Sequence, residues 1–227
     1  MGIMRAAWAI PLTGGCVYWE RLMKEKMKIN RQTDALIVVD VQRDFLPGGA
    51  LAVPDGNRVV PVINALMPRF DRVVLTQDWH PDDHLSFAGQ HPDIRPFSLV
   101  DGAYGKQMVW PAHCVAGTWG ASFSDQLDQT RATMILRKGW HREVDSYSAF
   151  MEQDRITKTG LSGYLSALQV SRVFICGLAL DYCVAWTAID AAAAGFEAVV
   201  LMDASAAIDS DGSLAAACEM MTKASVR

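Results

Sequence analysis

The chain of 227 residues has little excess of either charge: 21 Lys and Arg stand against 25 Asp and Glu, a net charge of -4. Such mild acidity provides no basic footprint for nucleic acid or an anionic lipid surface. No stretch reaches the ~18 uninterrupted apolar residues that a membrane span requires. The five cysteines (Cys16, Cys114, Cys176, Cys183 and Cys218) are odd in number and irregularly spaced. That excludes a disulfide framework and points to a reducing, cytoplasmic setting. Internal repeats and an interdomain linker are missing too. What is present is 51% hydrophobic and 20% charged residues, enough to build a packed core and to exclude global disorder.

The two ends differ from the middle. Arg5 leads into a half-apolar stretch, Ala6 to Trp19, broken by Pro11 and the Gly14-Gly15 pair, and a charged segment follows from Glu20 to Lys28. A secretory signal needs an unbroken apolar centre and a small-residue cleavage site. Residues 1–33 are therefore expected to be a disordered extension, or to lie upstream of a true start near Met23 or Met27. Residues 34–227 are expected to form one domain. At the far end, Leu214 to Lys223 reads as a helix and Ala224 to Arg227 as the first residues of a strand.

Between the ends, continuous apolar runs of strand length recur: Ala35–Val39, Val73–Leu75, Met134–Leu136, Val173–Cys176 and Ala198–Leu201. Runs without polar alternation mark strands buried on both faces. Helical periodicity fills the gaps at Asn57–Arg69, Gly160–Leu168, Tyr182–Ala194 and Ser213–Lys223. Strand and helix in alternation predict an α/β fold, three layers deep, with a central parallel sheet and right-handed crossovers. The stretch from His80 to Phe123, rich in Pro, Gly, His and Trp, has no clear period. Loops of that length in a compact domain usually carry function.

Ligands of such sheets bind outside the carboxyl ends of the strands, so the polar residues that end the apolar runs are the ones to weigh. They are Asp40, Asp78, Lys138 and the Asp181–Cys183 segment. Cys183 lies where a strand gives way to an alanine-rich helix, and a thiol in a first helical turn feels the positive end of the backbone dipole, which lowers its pKa. The same N–H groups can hold an oxyanion. Asp40 at a buried strand end can take the thiol proton if desolvation raises its own pKa. Lys138 can bias that ionisation. Cys176, mid-strand, reads as core.

A second constellation is Asp78, His80 and His84 within seven residues, with His113 from the same irregular region. One carboxylate and three imidazoles suit a divalent transition ion such as zinc, iron or manganese with open positions.

Together these motifs resemble the bacterial nicotinamidases (pyrazinamidases) of the isochorismatase-like hydrolase superfamily, in order from about Ala35 to Lys223. The segments that carry the likeness are Val39-Asp40-Val41-Gln42-Arg43-Asp44-Phe45, Gly48 to Pro54, Gln77-Asp78-Trp79-His80, Trp110 to Val115, Lys138-Gly139 and Asp181-Tyr182-Cys183-Val184. The resemblance implies hydrolysis of nicotinamide to nicotinate and ammonia, and of pyrazinamide to pyrazinoate, through a thioester, within NAD salvage. It implies Cys183 as nucleophile, Asp40 as base and Lys138 as third member of the triad. Asp78, His80, His84 and His113 would hold one divalent metal ion. Phe45, Trp110 and Tyr147 would wall the pyridine ring, and a cis peptide at Leu178–Ala179 would aim the Ala179 N–H, with that of Cys183, at the oxyanion.

Two residues depart from the family pattern: Leu180 stands where many relatives have Thr, and Arg43 where Asn is common. Arg43 is expected to face away from the site. The family usually adds one more strand and a short helix beyond Lys223, so the last strand is expected to be missing. Two rival readings remain: a sibling amidase acting on a ureido or carbamoyl substrate, and a binding module that keeps only the fold. The metal cluster argues against the first, and the intact Asp40, Lys138 and Cys183 against the second. The expected partner is a small-molecule substrate, with no nucleic acid and no membrane; a homo-oligomer is left open.

Overall fold

The computed structural model describes residues 28–227, so the expected N-terminal extension falls almost wholly outside the described residues. Arg31–Arg227 form one compact unit. Five parallel strands make its sheet: β1 (Asp34–Val39), β2 (Val73–Asp78), β5 (Met134–Lys138), β6 (Arg172–Leu178) and β7 (Glu197–Ala206), in the order β5-β2-β1-β6-β7. The apolar runs are therefore strands, as expected. Four helices connect and cover them: α1 (Val59–Leu66), α2 (Leu161–Ala167), α3 (Ala185–Ala193) and α4 (Ser213–Lys223).

Side chains alternate between the faces of a strand, and β1 shows which helices use which face. Ala35, Ile37 and Val39 join one buried cluster with Leu161 and Leu165 of α2, Ala185, Ala188 and Ala191 of α3, and Ala217 and Met221 of α4. The alanines let α3 lie close on the sheet at interior packing density. The buried Val59, Val60, Ile63 and Leu66 of α1 lie outside that cluster and cover β6 and β7 on the other face. Among the described residues, no helix is long and apolar enough to cross a membrane.

The irregular stretch holds more order than its sequence pattern showed. An antiparallel ribbon of β3 (Ser98–Gly102) and β4 (Gly105–Val109) stands within it as a separate two-stranded sheet. Its strands are short and partly exposed, with Asp101, Lys106 and Gln107 interleaved, so no apolar run announced it. The far end is also corrected in part. Ala224 and Ser225 close the last helix through bonds to Met220 O and Thr222 O, and only Arg227 pairs with the sheet. Its N–H donates to Ala198 O (3.0 Å) and its carbonyl accepts from Val200 N (2.7 Å).

Order in the sheet positions the site. The chain runs outward from β1 through β2 to β5, then returns to β6 on the other side of β1. The carboxyl ends of β1 and β6 thus flank the point where the winding reverses, the place where ligands bind in such sheets. Gly177 makes their close approach possible: it pairs with Val39, its φ is +117°, and a Cβ there would collide with the Val39 backbone.

Candidate active site

Asp40 follows β1 directly, in a left-handed backbone conformation (φ 48°), and is completely buried. Its N–H donates to Thr76 Oγ1 (3.2 Å), and the Thr76 hydroxyl donates back to Asp40 Oδ1 (2.6 Å). The other carboxylate oxygen, Oδ2, lies 2.8 Å from Lys138 Nζ. The same ammonium donates to Asp78 Oδ1 (2.6 Å) and Ser146 O (2.7 Å) and lies 3.5 Å from Cys183 Sγ. Ligating atoms of Asp40, Asp78 and Cys183 all lie within 4.8 Å of one another. A carboxylate, an ammonium and a thiol thus meet in one buried spot.

Charge in that spot is set by burial against pairing. Burial raises the Asp40 carboxyl above the usual range, with the Lys138 charge pulling the other way. At Lys138 burial alone would lower the ammonium, but Asp40 and Asp78 outweigh it and hold it well above its ordinary value. Asp78 is the reverse: burial would raise it, yet Lys138 and His80 keep it well below the carboxylate range. Burial pushes the Cys183 thiol far up, with Lys138 opposing. The dipole argument for a lowered Cys183 pKa is therefore corrected. Cys183 is buried in a π-helical turn, Leu180–Val184, ahead of α3, and desolvation of the thiolate dominates there.

The second constellation forms at the end of β2. Gln42 clamps that end: it donates through Nε2 to Asp78 O and accepts from Asp78 N, both at 2.8 Å. His80 pairs with the His113 segment by backbone bonds, His80 N to Cys114 O (3.1 Å) and Ala116 N to His80 O (2.8 Å). Asp44 steadies the same segment by accepting from Cys114 N (2.7 Å). Asp78 Oδ2 then lies 3.4 Å from His80 Nε2 and 3.8 Å from His113 Nε2. Both rings donate through Nδ1 to carbonyls, His80 to Gly139 O (2.7 Å) and His113 to Pro111 O (2.8 Å). Those bonds orient both rings with Nε2 toward the carboxylate, the outer-shell arrangement that metal-binding histidines use.

His84 sits beside His80, with ring centroids 4.4 Å apart, but is turned differently. Its Nδ1 accepts from Ser86 N (3.2 Å) and its Nε2 faces Val144 O at 3.4 Å. Burial and the His80 charge push it down to about 4. It groups with His80 and Asp145, whereas Asp78, His80 and His113 form the other set of converging ligand atoms. Of the four expected ligands, three converge on one point and His84 stands at its edge.

Next to both constellations, a narrow cavity of about 20 Å³ is lined by Phe45, Trp110, Tyr147, Ala179 and Cys183, among others. Trp110 Nε1 donates to the Tyr147 hydroxyl (3.1 Å), and Tyr182 packs edge-on against Trp110 at 4.9 Å. The Leu178–Ala179 peptide is cis. Arg43 turns away, pairing with Asp125 and lying over the Trp119 ring.

The isochorismatase domain family matches residues 34–226. The chain belongs to that family. Within the family it is 52% identical over 193 residues to a nicotinamidase of Acinetobacter baylyi, covering 85% of this chain and 90% of that one. The solved nicotinamidase and pyrazinamidase of Acinetobacter baumanii superposes with a TM-score of 0.86 at 49% identity, over 87% of this chain and 96% of that one. A pyrazinamidase of Pyrococcus horikoshii in complex with zinc superposes with a TM-score of 0.69 at 36% identity, over 86% and 97%.

Several residues that shape this isochorismatase-family site were not singled out from the sequence. Asp145 and Ile208 line the cavity from loops. Thr76 lies inside β2, and only register with β1 brings it to Asp40. A threonine directly after the apolar run Val73–Leu75, two places before Asp78, was the one available signal.

Proposed function

We propose that the protein is a metal-dependent cysteine amidohydrolase that converts nicotinamide to nicotinate and ammonia, and pyrazinamide to pyrazinoate, in NAD salvage. One observation carries the reading: the Cys183 thiol, the Asp40 carboxylate and the Lys138 ammonium meet beside an aromatic-walled cavity next to an Asp–His cluster. The identity to nicotinamidases over most of both chains supports it.

Asp40 Oδ2 takes the proton of Cys183 as the sulfur attacks the carboxamide carbon. Lys138 keeps the developing negative charge paired, and the N–H groups of Ala179 and Cys183 receive the oxyanion. The C–N bond breaks, ammonia leaves with the proton held by Asp40, and a thioester remains. Asp40 then takes a proton from water as the water attacks the thioester, releasing the acid and the thiol. Phe45, Trp110 and Tyr147 stack around the flat ring.

Asp78, His80 and His113 would hold a divalent ion, with His84 as a fourth ligand once its Nε2 leaves the Val144 carbonyl. Two neutral imidazoles and a carboxylate fit zinc, iron or manganese. When bound, the ion supplies a Lewis acid that orients the pyridine ring. The zinc complex of the Pyrococcus protein supports a divalent metal. The described cysteines are free thiols, which supports a cytoplasmic setting.

The purified protein is expected to release ammonia from nicotinamide, measured by a coupled assay; no release above the uncatalysed rate would overturn the reading. Gly139→Ala tests the metal reading. At φ +67° its Cβ would lie 2.5 Å from His80 Cε1, displacing the ring. Metal affinity, measured by competition with a chelator, is expected to fall about 10–100-fold.

A further inference from the structure

The register of β6 with β7 pairs Leu178 with Ala206, so the chain leaving β7 passes directly beside the Leu178–Ala179 peptide and the nucleophile turn. Two residues later Ile208 lines the cavity together with Ala179, Tyr182 and Cys183. Nothing in its own segment holds it there by regular structure: 207–210 belong to no helix or strand, and Asp209, Asp211 and Gly212 all have positive φ (52°, 52° and 80°). The hold comes from the nucleophile turn itself. Asp181, buried two residues before Cys183, accepts from Ile208 N (3.0 Å) through one oxygen. Its other oxygen accepts from Asp209 N (2.8 Å) and from the Ser213 hydroxyl (2.5 Å) at the start of α4. One carboxylate thus ties the strap 208–213 to the turn that carries the thiol.

We infer that Ile208 is a specificity-determining residue that limits which ring-substituted pyridine carboxamides enter, and that Asp181 is the positioning residue that fixes it. This rests on the amidohydrolase reading above. An aliphatic side chain fixed against a flat ring leaves no room for an added group on the ring edge facing it. Removing such a contact for a one-methyl difference changes discrimination by about 10–200-fold. Asp181 is suited to the tie because an ionised carboxylate accepts at both oxygens, and an amide in its place offers one acceptor and one N–H₂ that would face the Asp209 N–H.

The test compares kcat/KM for nicotinamide with that for each ring-methylated pyridine-3-carboxamide, in wild type, Ile208→Ala and Asp181→Asn. In Ile208→Ala, at least one positional isomer is expected to gain about tenfold relative to nicotinamide. In Asp181→Asn the same isomer is expected to gain, by a smaller factor, because the side chain is present but no longer held. Unchanged ratios for every isomer in Ile208→Ala would overturn the role of Ile208. A shift in Ile208→Ala with none in Asp181→Asn would overturn the role of Asp181, and a loss of rate with unchanged ratios would mark Asp181 as merely structural. A wild-type protein inactive on nicotinamide fails the functional reading instead, which keeps the two apart.

Discussion

Cys183→Ala is expected to lower kcat/KM for nicotinamide by about 10⁴-fold or more, with the folded structure intact by circular dichroism. Removing the sulfur removes the atom that forms the thioester, and what remains is binding and electrostatic stabilisation alone. The variant should fold because Lys138 keeps its bonds to Asp78 and Ser146 and its ion pair with Asp40. Only its long 3.5 Å contact with the thiol is lost. A variant that kept a tenth of the wild-type rate would move the nucleophile elsewhere.

Lys138→Met should do the opposite kind of damage, to the fold as well as to the reaction. Methionine matches the length of the stem but strands two buried carboxylates, Asp40 and Asp78, without their shared cation. Deleting one partner of a buried ion pair costs about 3–5 kcal/mol. In a chain of this size each kcal/mol moves the melting temperature by about 2–4 °C, so Tm is expected to fall by roughly 10 °C. Hydrolysis should be lost with it, because nothing then balances the negative charge of Asp40 and the attacking sulfur. A Tm within 2 °C of wild type, read by differential scanning fluorimetry, would show that the two carboxylates share charge by another route.

How much of this was legible in the sequence follows from what each feature depends on. The inner strands were readable because a strand covered on both faces has to be apolar throughout, as Ala35–Val39 is; β5, at the sheet edge, kept its apolar run although Ile135 is exposed. Asp40, Asp78 and Lys138 were readable because a parallel sheet gathers its strand ends on one rim, whatever the loops do. The ribbon Ser98–Val109 was not, since a two-stranded element with one face in solvent needs no apolar run. Asp145 and Ile208, and the tie of Asp181 to residues 208–213, depend on how loops fold back, and local periodicity carries no trace of that. The direction of the Cys183 shift was misjudged because a dipole argument counts the helix end and leaves out the desolvation that the finished core imposes.

Asp78 spends its two oxygens in different places: Oδ1 on the lysine, Oδ2 on the side where the imidazoles gather. The reactive half and the chelating half of the pocket are therefore welded through a single carboxylate. Neither half can be rebuilt for another chemistry while residue 78 stays, and neither survives its replacement.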